Sequence, residues 1–471
     1  MNNNIVINEQ IINKLLLNYK NNYIKTEEDL INDNIKKSNI LHRVTLYNIN
    51  NIKKLINDIE NFIINNDLLC YGGSAINMIL PENDKIYNYE VDTPDYDVYS
   101  NNSYEKAKHF ANYLYKNGYN VEVKHSSVHK DVFKIYINNK NLIDVTQIER
   151  NLFNELKKYM VVLNNGIKII PINYLRMNMY VELSKPLSDT SRWLKISSRL
   201  ALLNKYYSIK SEHCEKDIIY NDIDNKQYVK LYNLLVNLFV KHKSVFIGDF
   251  SMSFYYNYMS KHHVDILKKY KKKIEIISEN PEKYINKINI MVNKSNINNV
   301  TITKEEIYNK HFSYSYKIDV KNETICMIFI PSSCFNYNVI LKDNKEYRIA
   351  TIFTMMTHLL SCIYTGKSFY NNNYLYCCAQ YLFIIYMKKK NRMEQTGILN
   401  NYSLMCIGKE KTIVDMIEER NKLYEKLKKD RNSYEFKKYF LKYNPGINNE
   451  TKKMKNKNIK DKNKKTNKNK Q

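Results

Sequence analysis

Apolar residues recur at helical spacing early in the chain, at Ile11, Ile12, Leu15 and Leu16 and again at Leu46, Ile49, Ile52, Leu55, Ile56 and Ile59. This predicts a helical leader over residues 1–65. From residue 66 the pattern changes. A short apolar stretch runs into Gly72-Gly73-Ser74, a helix is predicted from Ala75 to Leu80, and a strand from Tyr96 to Tyr99. A helix over Tyr104 to Lys116 follows, then strands Val121 to Lys124, Val132 to Ile137 and Leu142 to Gln147, the last two joined by the turn Asn138-Asn139-Lys140-Asn141. Residues 66–150 therefore read as an α+β domain with a small mixed sheet, and 151–235 as a helical segment centred on Ile172 to Tyr207.

The same order of elements recurs with little sequence identity in residues 236–345. Ser244-Val245-Phe246-Ile247-Gly248-Asp249 parallels the glycine segment, Ile274-Glu275-Ile276-Ile277 parallels Tyr96-Asp97-Val98-Tyr99, and Asn299-Val300-Thr301-Ile302 parallels Asn120-Val121-Glu122-Val123. Lys317-Ile318-Asp319-Val320 leads to Ile325–Ile330 as Lys134-Ile135-Tyr136-Ile137 leads to Leu142–Gln147. One fold used twice is the reading, with chance resemblance between two mixed domains as its alternative. In this register Asp95 falls on Lys273, Asp97 on Glu275 and Asp144 on Met327, so the second copy is expected to be catalytically dead. Residues 346–443 read as a helical C-terminal part, with Tyr347 to Lys389 following the second copy. Residues 444–471 collapse to Lys, Asn and Thr and read as a disordered basic tail, either an RNA-binding or a merely solubilising one.

Composition adds a partner class. A 471-residue chain that is 44% hydrophobic has ample material for several packed cores, and its formal charge of +26 favours a polyanion such as nucleic acid. Part of the lysine excess also fits the bias of an A+T-rich genome. The eight cysteines show no CxxC pair and read as reduced, buried thiols. The ten histidines form no ligand spacing, and no apolar run is long enough for a membrane span.

Candidate chemistry lies in the first copy. The chain has only nine glycines, and two stand side by side ahead of a predicted helix, with Asp95-Tyr96-Asp97 beginning 22 residues after Gly73. Asp95 and Asp97 project from one side of a strand, about 7 Å apart at the backbone, where they can share divalent ions. Hard oxygen ligands suit Mg²⁺ or Mn²⁺, and nucleotidyl transfer uses two such ions about 4 Å apart. Asp144, among apolar neighbours in Leu142-Ile143-Asp144-Val145, is the candidate third metal ligand, on the ion that activates the primer 3′-hydroxyl, and a candidate proton acceptor; a plain strand-end acid is the alternative. Gly72, Gly73 and Ser74 offer backbone N–H groups and a hydroxyl at a helix start for the β and γ phosphates of ATP. Arg192 and Lys195, around the single tryptophan Trp193, are candidates for the triphosphate or RNA backbone, or else a solvated face.

These motifs together resemble the poly(A) polymerase catalytic subunits of large cytoplasmic DNA viruses, of poxvirus and giant-virus type. The resemblance is carried by Tyr71-Gly72-Gly73-Ser74-Ala75, Pro94-Asp95-Tyr96-Asp97-Val98, Leu142-Ile143-Asp144-Val145 and Glu182-Leu183-Ser184-Lys185-Pro186 running into Arg192-Trp193-Leu194-Lys195. It implies an α+β nucleotidyltransferase fold of polymerase-beta-like kind with a second, degenerate nucleotidyltransferase-like domain. It also implies AMP transfer from ATP to the RNA 3′ end of viral mRNA, two Mg²⁺ or Mn²⁺ ions, and action in the host cytoplasm or the virion. The partner it implies is either a second copy of the chain, as a homodimer, or a separate viral processivity subunit. Base choice is open on the residues alone, since ATP and UTP are not distinguished. The competing classes are an RNA 3′ uridylyltransferase or other nucleotidyltransferase and a non-catalytic RNA-binding scaffold.

Overall fold

The computed structural model describes residues 27–46, 49–87, 95–129, 131–211, 214, 226–270, 272–309, 311–364, 371–389 and 397–447. The positions expected at Ile11 to Leu16, Pro94 and residues 448–471 lie outside them. The chain divides into two compact units, one of residues 1–148, 162–169 and 423–471, the other of residues 149–161 and 170–422.

The first unit is built on a seven-stranded sheet. Its strands are β1 (Leu69–Tyr71), β2 (Tyr96–Ser100), β3 (Val121–His125), β4 (Val132–Ile137), β5 (Lys140–Gln147), β6 (Val161–Val162) and β7 (Lys168–Ile169), in the order β3-β4-β5-β2-β1-β7-β6. Alternation sets the faces: in β4, Phe133, Ile135 and Ile137 are buried while Val132, Lys134 and Tyr136 are less so. Two helices cover that apolar face. Ile49–Asn65 buries Leu55, Ile59, Phe62 and Ile63, and Ser103–Lys116 buries Ala107, Phe110, Ala111 and Leu114, with Phe62 stacked on Phe110 at 3.9 Å. The β4–β5 turn is tighter than its four-residue sequence suggests. Asn138 and Asn139 both take positive φ, 48° and 67°, and Ile137 pairs directly with Lys140.

Residues 423–447 return to this unit. The helix Tyr434–Phe440 is followed by Tyr443, which exchanges two backbone hydrogen bonds with Val123 at 2.9 and 3.0 Å. Tyr434 donates to Glu105 and Tyr443 to Asn112. Residues 445–447, which the sequence reading placed in the tail, form a helical turn.

The second unit repeats the plan strand for strand. It comprises β8 (Val245–Ile247), β9 (Ile274–Ile277), β10 (Val300–Asn309), β11 (Phe312–Val320), β12 (Glu323–Pro331), β13 (Phe335–Lys342), β14 (Lys345–Ala350) and β15 (Cys406–Ile407). They are ordered β10-β11-β12-β9-β8-β14-β13-β15, which is the first order with one strand added. Even the special backbone positions recur. Asp67 and Lys243 precede β1 and β8 with φ of 54° and 53°, and the β11–β12 turn again has two positive-φ residues, Lys321 and Asn322. The helical stretch expected from Tyr347 begins instead at Ile352, because Lys345–Ala350 pairs with β8 and β13. The helices following the two sheets, Ile172–Leu183 and Ile352–Ile363, pack together, with Tyr180 and Phe353 rings 5.2 Å apart.

Four of the eight cysteines are not the free thiols expected. Disulfides join Cys214 to Cys377 and Cys334 to Cys406, while Cys70, Cys326, Cys362 and Cys378 are free and buried. The partners are 163 and 72 residues apart, so no local motif announces them. Among the described residues, no helix is long and apolar enough to cross a membrane.

Candidate active site

Strand register assembles the site on the first sheet. Asp97 on β2 is paired with Tyr71 on β1 and, on its other side, with Asp144 on the parallel strand β5. Residues paired across neighbouring strands face the same way, so both carboxylates stand side by side on one face of the sheet. Asp95, two residues before Asp97, is exposed at the entry to β2 on that same side. Tyr96 points to the opposite face, where its hydroxyl donates to Glu60 at 2.7 Å. Burial raises the Glu60 carboxyl, with that hydrogen bond opposing.

Gly72 is fixed by two independent demands. It has φ of +74°, and a Cβ there would stand 2.2 Å from the Asp97 Oδ2. The helix Gly72–Ile79 therefore starts directly against the acid. Ser74 is buried and its hydroxyl donates to the Asp95 carbonyl, which ties the helix start to the entry of β2. Tyr71 at the N-cap supplies no side-chain cap, and among the described residues no acceptor stands against the N–H groups of Gly73 and Ser74. An uncapped helix start beside paired carboxylates offers anion-binding donors next to cation-binding acceptors.

Asp144 is held by its neighbours. Lys134, its partner across the β4–β5 hairpin, reaches Oδ2 at 2.8 Å, and the Asn141 amide donates to Oδ1 at 2.9 Å. Alongside, Tyr71 stacks on Tyr99 at 3.9 Å and its hydroxyl meets Thr146 at 2.8 Å. Burial, reinforced by the Asp97 charge, raises the Tyr71 phenol far above its usual range, so it stays neutral. Lys134, Asn141 and this Tyr71–Tyr99–Thr146 platform escaped the sequence reading. The Asn138-Asn139 turn alone would set Lys134 opposite Ile143, and a register shift between Ile135 and Tyr136, which no sequence signal marks, brings it opposite Asp144.

Among the described residues no group of three or more His, Cys, Asp or Glu side chains forms a metal cage. A divalent ion here would have to complete its shell with substrate phosphate oxygens and water, as Mg²⁺ usually does. The donor set fits that arrangement, because Asp95, Asp97 and Asp144 supply only hard carboxylate oxygens.

Of the residues proposed from sequence, Gly72, Gly73, Ser74, Asp95, Asp97 and Asp144 are brought together. Arg192 and Lys195 belong to the other unit. Arg192 ends the 3₁₀ turn Thr190–Arg192, 3.9 Å from the Glu182 carboxylate, and Trp193 donates its indole N–H to the Glu182 carbonyl. Lys195 is exposed on the helix Trp193–Tyr206.

Residues 57–189 match the family described as poly(A) polymerase catalytic subunit. A provisionally named poly(A) polymerase catalytic subunit of African swine fever virus, strain Badajoz 1971 Vero-adapted, is 25% identical over 182 residues, which is 37% of this chain and 38% of that protein. Its counterpart in the isolate Pig/Kenya/KEN-50/1950 matches to the same extent. The chain thus spans under two-fifths of the length of these curated relatives. In three dimensions it is similar to the crystal structure of the Megavirus polyadenylate synthase, with a TM-score of 0.73 and 16% identity over 92% of this chain and 90% of the other. The chain shares the fold of that synthase, and its residues 57–189 are similar to the poly(A) polymerase catalytic subunits.

Proposed function

We propose that this chain is a template-independent polynucleotide adenylyltransferase that adds AMP from ATP to the 3′ end of viral mRNA in the infected cytoplasm or virion. The observation that carries the reading is the position of Asp97, registered beside Asp144 and directly under the uncapped Gly72–Ser74 helix start. In the reaction the RNA 3′ oxygen bonds to the α-phosphorus of ATP, the bond to the pyrophosphate oxygen breaks, and the hydroxyl proton leaves.

Gly73 and Ser74 receive the β and γ phosphates through their N–H groups. Asp95, Asp97 and Asp144 would hold two Mg²⁺ or Mn²⁺ ions, with Asp144 on the side of the attacking hydroxyl as its proton acceptor. When bound, the ions neutralise the triphosphate and favour the alkoxide form of the attacking 3′ oxygen. Asn141 and Lys134 fix the Asp144 carboxylate so that it meets the hydroxyl in one orientation. Arg192 and Lys195 are assigned to the triphosphate or the RNA backbone, and a homodimer is the favoured assembly over a separate processivity subunit.

The test is extension of a short labelled RNA primer with each of the four nucleoside triphosphates, with Mg²⁺ or Mn²⁺, alongside Asp95→Ala/Asp97→Ala protein. Long products with ATP alone, absent in the variant, are expected. Extension with UTP alone would make it a uridylyltransferase, and activity unaffected in the variant would remove the assigned site.

A further inference from the structure

The two copies differ sharply in the charge of one equivalent surface. In the second copy the helices Lys226–Lys241 and Pro281–Lys294 cover the sheet as Ile49–Asn65 and Ser103–Lys116 do in the first. They run side by side, with Lys230 reaching the Ser295 carbonyl at 2.8 Å and Lys287 Nζ 2.7 Å from His242 Nε2. Their outer faces are cationic. Lys230, Asn233, Asn237 and Lys241 are exposed at spacings of three and four on one helix, and Lys283, Lys287 and Lys294 share a stripe on the other, interrupted by Ile290.

The two helices carry six lysines and one acid, Glu282, and that acid accepts the Tyr316 hydroxyl. The equivalent helices of the first copy carry five lysines against Asp58, Glu60 and Glu105, with Glu105 paired to Lys108 at 3.1 Å. Genome-wide lysine bias acts on both copies alike, so it does not explain the difference. Mutual repulsion is already felt here: burial, then Lys287, Lys283 and Lys241, lowers the His242 imidazole, and burial with Lys283 and Lys241 lowers Lys287. Like charges held together at this cost are relieved by a polyanion.

We infer that the outer face of these two helices is a docking surface for the phosphate backbone of single-stranded RNA, about 20 Å long. Ammonium and carboxamide groups contact phosphate and sugar without reading bases, which suits a substrate of indifferent sequence. The choice of RNA as occupant rests on the adenylyltransferase reading, whereas the cationic surface itself does not.

The test is fluorescence anisotropy of a labelled 30-nucleotide RNA across a salt series, comparing the protein with its Lys241→Glu/Lys283→Glu/Lys287→Glu variant. A second variant, with Gln at the same positions, serves if the Glu variant fails to fold by circular dichroism. Affinity is expected to fall more than tenfold, and the slope of log affinity against log salt to shrink by about 2, at about 0.7 for each lost single-strand phosphate contact. Extension of a very short primer at saturating concentration is measured in parallel and is expected to be unchanged. An unchanged salt slope in a folded variant overturns the inference, as does loss of poly-glutamate capture with RNA affinity intact, which would assign the face to an acidic protein. If the parent protein binds RNA through these lysines yet extends no primer, the adenylyltransferase reading fails and the docking surface stands.

Discussion

Two copies of one fold in this chain use the same strand position in opposite ways. Asp97 and Glu275 occupy equivalent registers, paired with the residue before Gly72 and with the residue before Gly248. Both glycines have positive φ, and a Cβ on either would collide with the acid beneath it. Yet among the described residues no acceptor stands against the Gly73 and Ser74 N–H groups above the aspartate, whereas the glutamate, one methylene longer, accepts the Asp249 N–H at 3.1 Å. Its other oxygen meets His358 Nε2 at 3.3 Å, and Met327 stands where Asp144 would be.

The second site is therefore plugged by its own side chains: the His358 imidazole pairs with the Glu275 carboxylate, and that carboxylate also accepts the N–H at the helix start. Burial alone would lower the His358 imidazole, but Cys362 and Glu275 more than reverse this and bring it up to about 10. Burial, with Glu275 beside it, pushes Asp249 up to about 7, and the Tyr374 hydroxyl donates to it. A catalytic fold can lose its chemistry without losing its architecture when the emptied charges are paired internally.

Asp97→Ala is expected to abolish primer extension, by 10³-fold or more, with the circular dichroism melt preserved, whereas Glu275→Ala leaves turnover per folded molecule within about twofold. Equal losses in both would refute the assignment of one live and one plugged site. Next in size, Gly72→Ala should cut activity at least tenfold by displacing the Asp97 carboxylate. Gly118→Ala, also at positive φ but with nothing within 4 Å, should cost only about 1 kcal/mol of stability.

His358→Ala should lower stability by about 3 to 5 kcal/mol in urea unfolding, because it strands Glu275 in the core. In the unsubstituted protein His358 and Asp249 bind their protons more tightly folded than unfolded. The His358 contribution is complete below its ordinary value of 6.5 and is lost as pH rises through about 10, while that of Asp249 is lost between 3.8 and about 7. Stability should thus decline from pH 4 to pH 10, and His358→Leu should flatten the upper part of that decline. The smallest effect is expected for Lys134→Met: with no ammonium on Asp144, half-maximal activity should need two- to threefold less Mg²⁺.

Much of this contrast was legible before any fold was known. Glycine next to glycine, acids two apart on a strand and a recurring element order gave the equivalences of Asp97 with Glu275 and of Asp144 with Met327, which strand register supports. Periodicity failed where elements were too short or too mixed to show it. Val161–Val162 and Lys168–Ile169 are two residues each, and Lys345–Ala350 runs straight into a helix. The His358 plug was invisible because it comes from a helix 83 residues beyond Glu275, and no local pattern marks a pairing made in the core. The disulfides and the return of residues 423–447 were missed for the same reason.

That return has a consequence for synthesis. Strand β3 receives its outer partner from Tyr443, so the last piece of the first unit is translated some 320 residues after the strand it joins. At about 5 to 20 residues per second, roughly a quarter-minute to a minute separates the two on the ribosome. During that interval the Val123 edge is an open template, and the nascent chain has reason to recruit a chaperone there until its own end arrives to close it.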